Sequence, residues 1–190
     1  MTNRIHTIHP VEDAAQLEGS PRNFFHHPHR ILKNHVREGM TVIDFGCGPG
    51  FFTMESAGLA GKSGKVIAVD VQQGMLELVQ QKIRNTPFES RITLHHCPPD
   101  SIGLHEQADF ILAFYVLYEV PDKERVLREL ASLLKPGGRM LIAEQKDHVP
   151  RREFEEITAI ALRAELHIVE RPRIFISRAM VMEKNLSVFD

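Results

Sequence analysis

The apolar positions of this chain fall into two alternating rhythms. Short, nearly continuous runs at 41–45, 66–70, 91–97, 109–115 and 139–144 read as buried strands, bounded by glycine and proline. Between them, apolar residues recur every three or four positions, as along one face of a helix. The segment 75–84 does so with Met75, Leu76, Leu78, Val79 and Ile83. The segment 122–134 turns Val126, Leu127, Leu130, Leu133 and Leu134 inward and its charges outward. A helix at 50–59 is closed by Gly61 and Gly64, and another covers 153–164. Ahead of the first strand, Ile31, Leu32 and Val36 predict a short amphipathic helix within 24–36, stopped by Gly39. The first 20 or so residues are polar, are broken by Pro10, Gly19 and Pro21, and read as a flexible lead-in or partial lid.

Such alternation of strand and helix calls for a mostly parallel sheet with helices on both faces. Right-handed crossovers then narrow the topology to the doubly wound α/β class. The end of the chain differs. Runs at 166–170 and 174–182 are separated only by Arg171-Pro172-Arg173, too short a link for a crossover, so these strands should be antiparallel. The expectation is one domain over 1–190. A lead-in and helix (1–38) precede an α/β core (39–190) on a seven-stranded, mostly parallel sheet with an antiparallel C-terminal hairpin strand.

Composition narrows the class without choosing a function. Hydrophobic residues make up 43% of the 190 and charged residues 25%, an ordinary globular mix that excludes collagen-like and disordered chains. The formal net charge is −2, whereas a domain that grips nucleic acid carries a basic excess, so no nucleic-acid partner is expected. Two cysteines, Cys47 and Cys97, form no CxxC pair, and neither a disulfide framework nor a zinc site is expected. The polar start lacks the apolar run of a signal peptide, and no stretch reaches the ~20 apolar residues of a membrane span. A cytoplasmic location follows as an expectation.

The chemistry concentrates in Val42-Ile43-Asp44-Phe45-Gly46-Cys47-Gly48-Pro49-Gly50-Phe51, where the first strand feeds the first helix, the usual ligand crevice of an open α/β sheet. A dinucleotide turn needs G-x-G-x-x-G, but the last required position holds Phe51. Asp44 ends the strand just ahead of the glycines, where a carboxylate would repel a pyrophosphate and attract an ammonium group. A second acid, Asp70, ends the second strand and could accept both hydroxyls of a ribose. A nucleoside that is positively charged and carries no phosphate suits both acids, and S-adenosylmethionine (SAM) is such a molecule. Each acid also has a purely structural reading, Asp44 bonding loop amides and Asp70 capping a helix.

These residues resemble the class I SAM-dependent methyltransferases. Asp44, Gly46, Gly48 and Gly50 match the family's first motif. Asp70, within Ala68-Val69-Asp70 and followed by Met75-Leu76, matches its second-strand acid. The stretch from Val126-Leu127-Arg128-Glu129-Leu130 through Leu134-Lys135-Pro136-Gly137-Gly138 matches a third signature. The resemblance implies a Rossmann-like fold, SAM as cofactor, and a cofactor site at Asp44, Gly46, Cys47, Gly48, Gly50, Asp70, Val71, Met75, Asp100, Ser101 and Phe114. One departure concerns adenine. The family commonly places an acid just after the third strand, but here two prolines precede Asp100 and Cys97 takes the usual place. Asp100 stands between an adenine contact and a plain turn acid.

Methyl transfer from a sulfonium rests largely on positioning in a dry pocket, so no universal catalytic residue is implied. Where the acceptor is a hydroxyl or amine, a base helps. The candidates are Tyr115, Tyr118 and Glu119 after the fourth strand, with His26 and His29 in the aromatic N-terminal piece beside Phe24 and Phe25. Each also has a packing or capping reading. No Asn-Pro-Pro-Tyr-like tetrapeptide follows that strand, only Phe114-Tyr115-Val116-Leu117, which argues against a base- or glutamine-directed amino methyltransferase. The expected partner is a small-molecule acceptor, as in the broad branch that includes quinone and sterol methyltransferases; a homodimer stays open. No metal site is expected, since His95 and His96 point to opposite faces of a strand. Gly61-Lys62-Ser63 fails as a phosphate loop because that motif needs glycine where Ser56 stands. The alternatives are a non-catalytic SAM-binding or regulatory subunit, an NAD-dependent oxidoreductase, and SAM-binding enzymes of other chemistry.

Overall fold

A computed structural model describes Val11 and residues 27–186. In chain order its elements are α1 (Pro28–Leu32), β1 (Thr41–Phe45), α2 (Thr53–Ala60), β2 (Lys65–Asp70), α3 (Gln73–Ile83), β3 (Ile92–His96) and β4 (Ala108–Phe114). There follow α4 (Lys123–Leu133), β5 (Leu134–Gln145), α5 (Arg151–Arg163), β6 (Leu166–Glu170) and β7 (Ser177–Lys184). Among the described residues, seven strands form one sheet in the order β3-β2-β1-β4-β5-β7-β6. Pairings from β3 through β5 are parallel, and β7 runs antiparallel to both β5 and β6. This is the doubly wound sheet with an antiparallel hairpin strand that the pattern predicts.

The period of two along each strand sorts the core into two layers. Ile43, Ile67, Ile111 and Ile142 pack against Val126, Leu127 and Leu130 of α4 and Ile157 of α5. Val42, Ala68, Phe110 and Leu141 pack on the other face against Leu32 of α1, Ala57 of α2 and Val79 of α3. Helix α4 shows why the sequence chooses a helix there. Asp122 caps it by accepting the Arg125 N–H at 2.9 Å, and Glu124–Arg128 and Arg125–Glu129 pair one turn apart on its outer face. Its buried leucines Leu127 and Leu130 each contribute roughly 1.5–3 kcal/mol by leaving water.

Three boundaries differ from the pattern. The first helix covers Pro28–Leu32 rather than 24–36, because Pro28 fits the first helical turn and the chain leaves the helix in a tight turn that keeps Val36 buried. Strand β5 starts directly at Leu134. Its pairing with β4 shifts register between Ala108 and Phe110, and this irregularity absorbs Pro136 and the two glycines. Strand β7 begins at Ser177, three residues later than the apolar run suggests, since Ile176 adopts a left-handed φ of 51° that no strand accommodates. The lead-in or lid assigned to the first 20 or so residues lies outside the described residues, apart from Val11.

Candidate functional site

Strand order reverses between β1 and β4, which opens a crevice at the carboxyl ends of the strands. The glycine turn lies there, stitched to β2. The N–H groups of Gly46 and Cys47 both donate to the Val69 carbonyl, at 2.9 and 3.0 Å, and Gly50 N–H closes a turn onto the Cys47 carbonyl. Gly46, Gly48 and Gly50 have φ values of 71°, 53° and 93°, a region costly to a side-chain-bearing residue. Two of the three also answer to packing. A Cβ on Gly46 would overlap Val116, and one on Gly50 would come within 3.1 Å of Val79.

The two acids bracket this turn in different ways. Asp44 is 3% exposed and accepts the Thr53 hydroxyl at 2.6 Å, tying the end of β1 to the first turn of α2. Asp70, 7% exposed, accepts the Gly48 N–H at 2.8 Å on one oxygen and the Gln72 N–H at 2.9 Å on the other. It caps no helix with its side chain; Gln72 takes the N-cap position of α3. Burial raises the pKa of Asp70, although the backbone N–H groups of Gln72, Gly48 and Val71 oppose the shift. The Cys47 thiol between them is pushed far up, first by burial and then by the negative charges of Asp44 and Asp70. One cation also reaches the turn, where the Lys82 ammonium donates to the Pro49 carbonyl.

That charge pattern tests the fit of ligands. A pyrophosphate would meet two carboxylates, whereas a sulfonium or ammonium would be stabilised by them. A carboxylate has about four acceptor sites, so with the N–H groups of Gly48, Gln72 and Val71 on it Asp70 still has room for a hydroxyl donor. The residues present thus fit SAM.

The remaining sites separate into three groups. Of the residues that the resemblance assigns to the nucleoside, Val71 is half-buried and Met75 is 1% exposed in the first turn of α3. Val11 reaches this helix start too, 3.1 Å from where a Cβ on Gly74 would lie. Ser101 is half-buried, and Asp100 is exposed with Arg125 of α4 3.7 Å away. Phe114 is buried between Phe52 and Tyr115, with ring centroids 4.5 and 4.4 Å away. Beyond β4, Tyr115 has a φ of 61°, and its hydroxyl bonds the Ser177 hydroxyl at 2.5 Å. Tyr118 donates to Glu119 at 2.6 Å, on the one-turn helix Leu117–Glu119. His29, by contrast, sits on α1 and meets Glu55 of α2 at 2.8 Å. His26, Phe24 and Phe25 lie outside the described residues. Among those described, no group of three or more His, Cys, Asp or Glu could hold a metal ion, and no helix is long and apolar enough to cross a membrane.

Sequence reasoning passed over Glu144, Val116 and Ser177. Glu144 is fully buried near the end of β5, where its Oε1 accepts the Leu117 N–H at 2.8 Å and so anchors the turn that carries Tyr118 and Glu119. Its Oε2 has no hydrogen-bond partner among the described residues. Burial pushes its pKa up to about 8. A carboxylate closing the apolar run Met140-Leu141-Ile142-Ala143 was the available signal.

Comparison with known proteins gives the family and the fold. A family model described as a methyltransferase domain matches residues 36–171. The ubiquinone/menaquinone biosynthesis C-methyltransferase UbiE of Escherichia coli O1:K1 is 33% identical over 110 residues, covering 57% of this chain and 44% of that protein. The chain thus spans under half the length of the curated relatives it matches. A SAM-dependent methyltransferase from Aquifex aeolicus superposes with a TM-score of 0.81 at 22% identity, covering 93% of this chain and 98% of that one. The N-methyltransferase NodS from Bradyrhizobium japonicum WM9 superposes with a TM-score of 0.68 at 17% identity, covering 88% and 99%. At these identities the two structures show the shared fold alone.

Proposed function

The chain belongs to the methyltransferase-domain family, whose cofactor is SAM, and we propose that it transfers a methyl group to a small-molecule acceptor. The observation that carries the reading is the turn from β1 into α2, where the buried Asp44 and Asp70 flank three left-handed glycines. In this reading residues 39–190 form the catalytic core. Asp70 receives a ribose hydroxyl while its backbone bonds hold the turn open. Gly48 lets the main chain lie close to the nucleoside. Asp44 acts through its charge, because its carboxylate is buried and bonded to Thr53. SAM supplies an electrophilic methyl carbon on a sulfonium that leaves as a neutral thioether.

The acceptor side is the segment after β4. Val116 lies over Gly46, so the acceptor turn and the cofactor turn touch. Glu144 holds the Leu117–Glu119 turn from below, and on that turn the buried Tyr118 hydroxyl donates to the Glu119 carboxylate. Glu119 is the group placed to take a proton from a hydroxyl or amine acceptor, with Tyr118 orienting it. Two facts support a small acceptor: the net charge of −2, and the similarity to the Escherichia coli C-methyltransferase of ubiquinone/menaquinone biosynthesis. The test is incubation with methyl-labelled SAM and a panel of small phenols, amines and quinols. Acceptor-dependent formation of S-adenosylhomocysteine is expected; nucleoside binding without turnover on any acceptor would instead favour a non-catalytic SAM-binding subunit.

A further inference from the structure

An open depression of about 510 Å³ lies past the carboxyl end of β5, lined by Lys146, Asp147, Arg173, Ile174, Phe175 and Ile176. Its volume falls within the range of small-molecule sites. One wall is the loop after β5 and the other is the link between β6 and β7. The walls are locked together: Lys146 N–H donates to the Ile176 carbonyl at 2.9 Å, and the Arg178 guanidinium donates to the Lys146 and Val149 carbonyls.

One chain of contacts ties this depression to the acceptor side, and two further features, strain and charge, set it apart. Tyr115, at the end of β4, reaches it through the Ser177 hydroxyl, which itself donates to the Phe175 carbonyl at 2.9 Å. Two of the four left-handed non-glycine residues among those described stand at this place, the others being Asn85 and Glu165. Tyr115 and the β-branched Ile176 both hold left-handed φ values, and such outliers persist where the surroundings enforce them, often at ligand sites. Charge is the second feature. Lys146 and Arg173 are exposed and make no ion pair among the described residues, and the one acid on the rim, Asp147, offsets only one of the two. The half-buried Ile174 and Ile176 and the exposed Phe175 supply apolar surface beside the cations.

We propose that this depression is the acceptor pocket and that it selects a small molecule with an apolar body and one anionic group, a carboxylate or phosphate held by Lys146 and Arg173. The inference rests on the methyltransferase reading for the acceptor role, though not for binding. Arg173 offers a planar fork that matches either anion in a bidentate way, and Lys146 adds a point charge from the opposite wall.

The test uses benzoate and its neutral counterpart benzyl alcohol, titrated into the full chain with labelled isoleucine methyl groups and followed by NMR. Benzoate should shift the Ile174 and Ile176 methyl signals saturably, at least about fivefold more tightly than benzyl alcohol, and weaken with added salt. The exposed double variant Lys146→Gln, Arg173→Gln should abolish that preference. Equal affinity for the two probes, a preference that survives the double variant, or shifts confined to other isoleucines would overturn the inference. A parallel titration with S-adenosylhomocysteine separates the two readings. Normal nucleoside binding without benzoate preference ends this inference and leaves methyl transfer intact. Benzoate preference without nucleoside binding removes the acceptor role.

Discussion

Replacing Glu144 with glutamine should change how stability responds to pH. The side chain is fully buried, and burial outweighs the opposing hydrogen bonds from the Leu117 and Tyr118 backbones, so its pKa rises from 4.5 to about 8. In the unfolded chain the same carboxyl ionises at about 4.3. Between those values the folded protein holds one more proton than the unfolded chain, so stability falls as pH rises. The contribution is whole below the unfolded pKa and is lost as pH climbs through the folded one. At about 1.4 kcal/mol per pH unit, the interval from pH ~5 to ~8 removes roughly 4 kcal/mol. That is a large share of the 5–15 kcal/mol typical of a folded domain. Glu144→Gln keeps an oxygen for the backbone N–H groups but buries an amide N–H without a partner, costing about 1–3 kcal/mol at every pH. Urea denaturation followed by far-ultraviolet circular dichroism across this pH range reads both effects. Wild type should be the more stable at pH 5, and the gap should close or invert by pH 8. Parallel profiles would mean that Glu144 ionises at its ordinary value and is reached by water, refuting the reasoning.

Further predictions follow from the turn and its acids. Gly46→Ala forces a side chain into a left-handed position against Val116 and should cost about 1–3 kcal/mol, read as a lowered Tm; adding Val116→Ala should recover part of it. Thr53→Val removes a hydrogen bond to the buried Asp44 carboxylate and should destabilise by about 1.5–3 kcal/mol in urea unfolding, an unchanged midpoint arguing against that bond. Asp70→Ala should weaken SAM binding by roughly 1.5–3 kcal/mol in calorimetry. It should also loosen the turn, because Gly48 and Gln72 lose their acceptor.

What the sequence revealed, and what it hid, have separate physical causes. Strand periodicity and the α4 pattern were legible because each element buries its own apolar face, and a local window contains that information. The short link at 171–173 announced an antiparallel pair by length alone. The glycine motif identified the turn, yet half of the reason for Gly46 lies in Val116, 70 residues away in sequence, and no window contains both. The late start of β7 depends on strain at Ile176, which the apolar run conceals, since isoleucine is otherwise a strand former. Glu144 looked like a polar strand end because its burial arises from the Leu117–Glu119 turn folding over it. Asp70 is a candidate by its position at the end of β2, but its bonds to Gly48 and Gln72 appear only when β2 is set beside the turn.

The most direct measurement of the central claim is titration calorimetry of the full chain with SAM and S-adenosylhomocysteine, with NADH as the comparison ligand. The charge pattern around Asp44 and Asp70 predicts one nucleoside site per chain with micromolar affinity for the SAM pair and no NADH binding. NADH binding without SAM binding, or no binding of either, would contradict it.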